Sequence, residues 1–268
     1  MKLLLYLAYD GSAFCGYQAQ THGNTVQQTL NLATEEVFGH SCDVTGCSRT
    51  DSGVHARMFC ATVTREGGAP LETTIPVDKI PAVLNIHLPD SIAVGYARWV
   101  PDDFHPRYSV TSKEYVYKIY NAPFRCPFEH KRSWHIPQRL DDEALERMNQ
   151  AAAAFIGQRD FSACMASGSD ILDKTRNVMS ARVFREGDFV TFAVRADGFL
   201  YHMVRIMAGT LVDVALQKIS ADSIPERLAS LDRRRMGRTA PAEGLYLNRV
   251  FYDDPACPGY RGGDILAD

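Results

Sequence analysis

Pro101-Asp102-Asp103-Phe104-His105-Pro106-Arg107 separates two runs of strand-like and helix-like sequence. Two prolines and adjacent acids interrupt any regular element, so the stretch reads as a joint. Working back from it, Ile92 to Val100 reads as a strand and Val77 to Ile86 as a weaker helix. Phe59 to Thr64 and Cys42 to Gly46 are strand-like, and between them lies the polar segment Ser48-Arg49-Thr50-Asp51-Ser52-Gly53. Thr25 to Phe38 carries an apolar stripe of Val26, Leu30, Ala33 and Val37; Thr25 can cap its start and Gly39 ends it. Leu3 to Tyr9 is a strand closed by Asp10-Gly11-Ser12. Working forward, Tyr115 to Asn121 is a strand, and Asp141 to Ile156 a helix closed by Gly157. Ala181 to Phe184 and Phe189 to Val194 flank the turn Arg185-Glu186-Gly187-Asp188 as a hairpin. Phe199 to Gln217 is a long helix; a short helix near Ala221 to Leu231 and a strand near Leu245 to Tyr252 follow. Neither side shows a regular βαβα alternation. The reading is therefore α+β with largely antiparallel sheets, in two similar halves, 1–107 and 108–268.

Composition narrows the class. The 268 residues are 46% hydrophobic and 23% charged, enough to bury a sizeable core. With 29 Lys and Arg against 32 Asp and Glu, the net charge is −3, so any RNA-binding surface must be local. Of the seven cysteines, at 15, 42, 47, 60, 126, 164 and 257, none forms a C-x-x-C pair. They read as small, mostly buried hydrophobes in a reducing compartment. The apolar start stops at Asp10, and no run approaches a membrane span, so a cytoplasmic protein with no membrane partner is expected. Phosphate-loop, dinucleotide, zinc-protease and nucleophile-elbow motifs are all missing. His55, His105, His130 and His135 lack metal-ligand spacing with a third donor, so no metal is expected.

Arg205 is the physical anomaly. Met203, Ile206, Met207, Leu211 and Val214 form one stripe of its helix, and Val204, Ala208, Val212 and Leu216 make the rest apolar. A helix apolar all round is normally buried. A guanidinium cannot shed its charge, so Arg205 either meets an anionic or accepting partner or snorkels outward. Asp213, eight residues on, lies ~12 Å along the axis, too far for a direct pair. Asp51 is a candidate partner, although Asp51-Ser52-Gly53 also suits a simple turn.

Arg49-Thr50-Asp51-Ser52-Gly53-Val54-His55-Ala56 closely resembles the R-T-D-x-G-V-H-A signature of the TruA family of tRNA pseudouridine synthases. Tyr9-Asp10-Gly11-Ser12-Ala13-Phe14-Cys15-Gly16-Tyr17-Gln18 resembles that family's opening block, and Val26-Gln27 its following V-Q. Asp102 to Arg107, Tyr115-Val116-Tyr117 with Tyr120-Asn121, Gly198 to Arg205, and Glu243-Gly244-Leu245-Tyr246-Leu247 resemble later blocks in family order. The resemblance implies two ferredoxin-like α+β halves whose sheets join across a central cleft. It implies a cofactor-free isomerase that converts uridine to pseudouridine at positions 38, 39 and 40 of the tRNA anticodon arm, acting as a homodimer. Residue by residue, it implies that Asp51 in the N-terminal half is the catalytic carboxylate. In the C-terminal half, Tyr115 packs against the uracil and Arg205 pairs with that carboxylate. Arg49 is implied to help displace the target base, and His202 is a candidate for contact with the tRNA backbone.

The chemistry suits these residue types. The N1–C1′ bond must break, the uracil turn, and C5 bond to C1′. A carboxylate can act as nucleophile or as base at C2′. An adjacent Arg favours its charged form, and a Tyr offers a flat face and a hydroxyl. Arg233-Arg234-Arg235 with Arg238 is the densest basic cluster, and Lys131-Arg132 a smaller one; each reads either as an RNA contact or as a solvated face. Tyr17, Lys113-Glu114 and Cys164 depart from the family pattern without touching Asp51, Tyr115 or Arg205. The alternatives to the enzyme are a tRNA-binding or RNA-chaperone module without catalysis, and a metal hydrolase.

Overall fold

Leu3, Leu4, Leu5 and Leu7 have no solvent exposure, so the first strand is covered on both faces. A computed structural model describes residues 1–168 and 170–253. In chain order its elements begin with β1 (Lys2–Tyr9), α1 (Val26–Phe38), β2 (Cys42–Gly46), β3 (His55–Arg65), α2 (Ile80–His87) and β4 (Ile92–Val100). There follow β5 (Val110–Tyr120), β6 (Trp134–His135), α3 (Asp142–Ala153), β7 (Gly157–Asp160), β8 (Thr175–Glu186) and β9 (Phe189–Ala196). The last are α4 (Met203–Ala215), α5 (Ile224–Ala229) and β10 (Leu245–Tyr252).

The chain forms two compact units. One holds Met1–Thr111 and the returning residues from Leu247, and the other holds Ser112–Tyr246. The division falls inside β5, four residues beyond the joint read at 107. The C-terminal strand belongs with the N-terminal unit because β10 lies beside β3. A division at 107 would put the whole later chain, β10 included, in the second half.

In the first unit β1 lies between β4 and β3, and β2 lies on β3; the pairings of β1 with β3 and β4, and of β2 with β3, are antiparallel. The run β-α-β-β-α-β in this strand order is ferredoxin-like. Thr25 caps α1 by accepting the Gln28 N–H, and Gly39 ends it at φ 72°. In the second unit the order is β5-β9-β8-β7, antiparallel throughout, with the short β6 running parallel to β5. Helix α3 packs on α4 and β8. The run β5, α3, β8, β9, α4 repeats the first five elements of the other unit, although the sequence shows no repeat.

Four cysteines, Cys42, Cys47, Cys60 and Cys164, are buried as expected, whereas Cys15 is exposed and Cys126 half-buried. Cys257 lies outside the described residues.

Candidate active site

In the first unit the segment from Ser48 to Val54 links β2 to β3. Its end is a turn: the Val54 N–H donates to the Asp51 carbonyl at 3.1 Å, and Gly53 takes φ 79°. Asp51, half-buried, therefore does sit in the turn its sequence suggested. The residue before it is held more firmly. Thr50 is buried, its Oγ1 lies 2.8 Å from the Tyr9 hydroxyl, and its carbonyl accepts the Tyr17 N–H at 3.1 Å. Ser52 Oγ donates to the Phe14 carbonyl at 3.2 Å.

These partners all come from the Tyr9-to-Gln18 block, which explains why two motifs ~40 residues apart read as one unit. The two backbones nearly touch. A Cβ on Gly16, at φ 94°, would stand 2.9 Å from the Thr50 carbonyl oxygen, and one on Gly11 would stand 2.0 Å from that of Val54. Val26 and Gln27 tether the same block from the start of α1. Their N–H groups donate to Gly16 and Tyr17 carbonyls at 3.2 and 2.9 Å, and the Gln27 side chain bonds Ala19 N–H at 2.9 Å and the Val44 carbonyl at 2.8 Å.

His55 takes part in this scaffold. Its Nδ1 accepts the Gly11 N–H at 3.1 Å, so that nitrogen holds a lone pair. The 3.2 Å approach of Asp10 Oδ1 to the same atom is then not an ion pair; that oxygen instead accepts the Ser12 N–H at 2.9 Å. Arg49 is exposed.

In the second unit Tyr115 faces Val194 across β5 and β9, is buried, and meets the Phe199 ring edge-on at 5.0 Å and 81°. Phe199 leads into α4, every residue of which is buried except Arg205. Arg205 is half-buried. Its Nε donates to the Ala240 carbonyl at 2.8 Å, and Ala240 N–H donates back to the Arg205 carbonyl at 3.0 Å. Tyr117 is fixed beside it: its hydroxyl donates to the Pro241 carbonyl at 2.8 Å. Burial pushes that phenol well above its ordinary range, with the nearby Arg205 charge opposing the shift. His202 stands at the head of α4 in the left-handed region, φ 59°, with Tyr201's ring 3.9 Å away. Asp51 and Arg49 thus lie in the first unit, and Tyr115, His202 and Arg205 in the second.

The basic cluster is engaged within its own unit. Arg234 pairs with Asp232 at 2.8 Å and Arg235 with Glu226 at 2.7 Å. Arg233 donates to the Gly237 carbonyl and to Thr239 Oγ1, both at 2.9 Å, and Arg238 to Asp213. Among the described residues no group of three or more His, Cys, Asp or Glu could hold a metal ion. The scaffold residues Tyr9, Thr50 and Gln27 carry no chemical signal of their own in sequence, since their partners are distant along the chain.

A family model described as tRNA pseudouridine synthase matches residues 6–109 and 151–253. A tRNA pseudouridine synthase A of Acetivibrio thermocellus is 42% identical over 248 residues, covering 92% of this chain and 98% of its own. One from Thermoanaerobacter sp. (strain X514) is 41% identical over 94% of this chain and 99% of its own. One from Staphylococcus aureus is 34% identical over 99% of this chain and 96% of its own. A chain of a Cbf5-Nop10-Gar1 complex is a distant structural likeness, at TM-score 0.36 and 13% identity, covering 93% of this chain and 50% of that one.

Proposed function

Because the chain belongs to the tRNA pseudouridine synthase family and so isomerises uridine in tRNA, we propose that Asp51, Tyr115 and Arg205 carry that reaction. The N1–C1′ bond breaks and C5 bonds to C1′; C5 sheds a proton and N1 gains one, so the equation balances without a cofactor. The Asp51 carboxylate serves the bond exchange as nucleophile or as base at C2′. Arg205 supplies the fixed cation that keeps a carboxylate charged out of water. Tyr115 offers its ring face to the uracil and its hydroxyl to the reacting atoms. Extracting a stem uridine costs a few kcal/mol, and Arg49 and His202 bind the substrate in the displaced state.

The observation that carries this reading is the anchorage of Asp51. Backbone bonds hold its loop on both sides, which sets where its carboxylate leaves the chain. We take the substrate positions to be 38, 39 and 40 of the anticodon arm, and the working form to be a homodimer in the cytoplasm. No helix among the described residues is long and apolar enough to cross a membrane.

The test incubates unmodified tRNA with wild type and with Asp51→Asn, and maps pseudouridine by position. Wild type is expected to modify 38, 39 and 40 and Asp51→Asn none of them. Full activity in Asp51→Asn would remove Asp51 from the chemistry. Binding by wild type without modification would point to the non-catalytic module.

A further inference from the structure

We infer that the hydroxyl pair of Tyr9 and Thr50 is a positioning device for Asp51, an inference that rests on Asp51 being the reacting carboxylate. Thr50 precedes Asp51 directly, so the peptide plane between them sets where the Asp51 side chain leaves the backbone. That plane is fixed at its oxygen, which accepts the Tyr17 N–H at 3.1 Å. On the far side the Asp51 carbonyl accepts the Val54 N–H at 3.1 Å. The 2.8 Å contact between Thr50 Oγ1 and the Tyr9 hydroxyl adds a side-chain tie from the residue before Asp51 to the core.

Tyr9 is a suitable post. It ends β1, where it pairs with Ala56 on one side and Ile92 on the other. Its ring lies 5.6 Å from Phe59 and only 4% of the residue is exposed. A loop residue is thereby tied to a strand of the core, the arrangement that gives a reacting group its precision. The bond is buried on both partners, so water cannot take its place cheaply. Neither hydroxyl has to touch the substrate; both act through the Asp51 backbone.

A buried bond of this kind could instead contribute only to folding, and the test separates the two roles. Tyr9→Phe, Thr50→Val, Thr50→Ser, the double variant Tyr9→Phe/Thr50→Val and Asp51→Asn are compared in the full chain on unmodified tRNA, with a thermal melt of each. Tyr9→Phe and Thr50→Val are expected to lower kcat about tenfold or more while KM stays within about twofold. Thr50→Ser, which keeps the hydroxyl, is expected to retain kcat within about threefold of wild type. The double variant should be no slower than the slower single, because one contact is removed only once.

Wild-type kcat in Tyr9→Phe overturns the inference, as does an effect on KM alone or a double loss equal to the product of the singles. If Thr50→Val fails to fold, Tyr9→Phe and Thr50→Ser decide between the outcomes. An inactive Asp51→Asn beside a fully active Tyr9→Phe refutes the positioning role alone. An active Asp51→Asn refutes the catalytic reading beneath it.

Discussion

Arg238 donates Nε and Nη2 to one oxygen of Asp213, at 3.2 and 2.6 Å. Asp213 is the one acid of α4, and its side chain is 11% exposed against 47% for Arg238. The pair answers two questions the sequence raises. It supplies the buried acid with a counter-charge, and it gives one member of the basic cluster a structural partner.

Arg238→Met leaves that carboxylate without its cation. Breaking a fully buried pair costs about 3–5 kcal/mol; half exposure of Arg238 reduces this to about 1–3 kcal/mol. Urea unfolding should show a lower midpoint at unchanged slope. An unmoved midpoint would mean that the pair contributes nothing to stability.

Gly209→Ala should reverse the usual helix rule. In a helix interior Ala normally gains about 0.5–1 kcal/mol over Gly. Here the added Cβ would lie 1.9 Å from the Arg238 carbonyl oxygen, a backbone atom that cannot swing aside. The expected result is a net loss of about 1–3 kcal/mol. Activity should fall too, since the displaced segment runs on to Ala240, the hydrogen-bond partner of Arg205. A stabilised protein on thermal denaturation would contradict the close approach.

Tyr115→Phe keeps the ring against Phe199 and removes one oxygen. If the hydroxyl serves the reacting atoms, tRNA affinity by filter binding stays within about twofold while turnover falls about tenfold or more. Unchanged turnover would reduce Tyr115 to a packing residue.

Alkaline pH should destabilise the fold. Burial, the leading cause in each case, raises the phenols of Tyr17, Tyr117 and Tyr252, and it pushes the Cys164 thiol up to about 12. The unfolded chain releases these protons from its ordinary values, 9.0 for the thiol and 10.0 for the phenols, while the folded chain still holds them. The folded state therefore binds more protons above pH 9, and stability falls as pH rises from there. A spectrophotometric titration should show these tyrosines ionising only together with loss of far-ultraviolet ellipticity. Smooth ionisation of all tyrosines near their ordinary value in a folded protein would refute it.

Much of the fold is legible where a local signal exists. Thr25 and Gly39 mark the ends of α1, and Asp141 caps α3 by accepting the Ala144 N–H, as their residue types suggest. Strands Cys42–Gly46, Ile92–Val100 and Leu245–Tyr252 fall where apolar alternation puts them. The misplaced boundaries have non-local causes. Strand β3 starts at His55 rather than Phe59, because its first residues are held by pairing with β1, as Ala56 is with Tyr9, and His55 and Arg57 hide the pattern. Helix α4 starts at Met203 rather than Phe199, because His202 adopts a left-handed conformation that no propensity signals. The four-residue β7 and two-residue β6 are too short for any period to show. The candidate site divides in the same way. Arg205 stands out by chemistry and Asp51 by the resemblance of its motif to the family signature, whereas the grip of Tyr9 on Thr50 depends on a fold that joins positions 41 apart.

The return of β10 to lie beside β3 orders events during synthesis. A ribosome that has made residues 1–111 has exported nearly all of the first unit, yet the strand that flanks β3 is still more than a hundred codons away. Until then β2 covers that edge of β3 only from Ala61 to Arg65, and the part before Ala61 is bare to any passing strand, a hazard for a nascent chain. A stop codon anywhere before Leu245 would make that exposure permanent, even though every residue of the Asp51 loop had been translated.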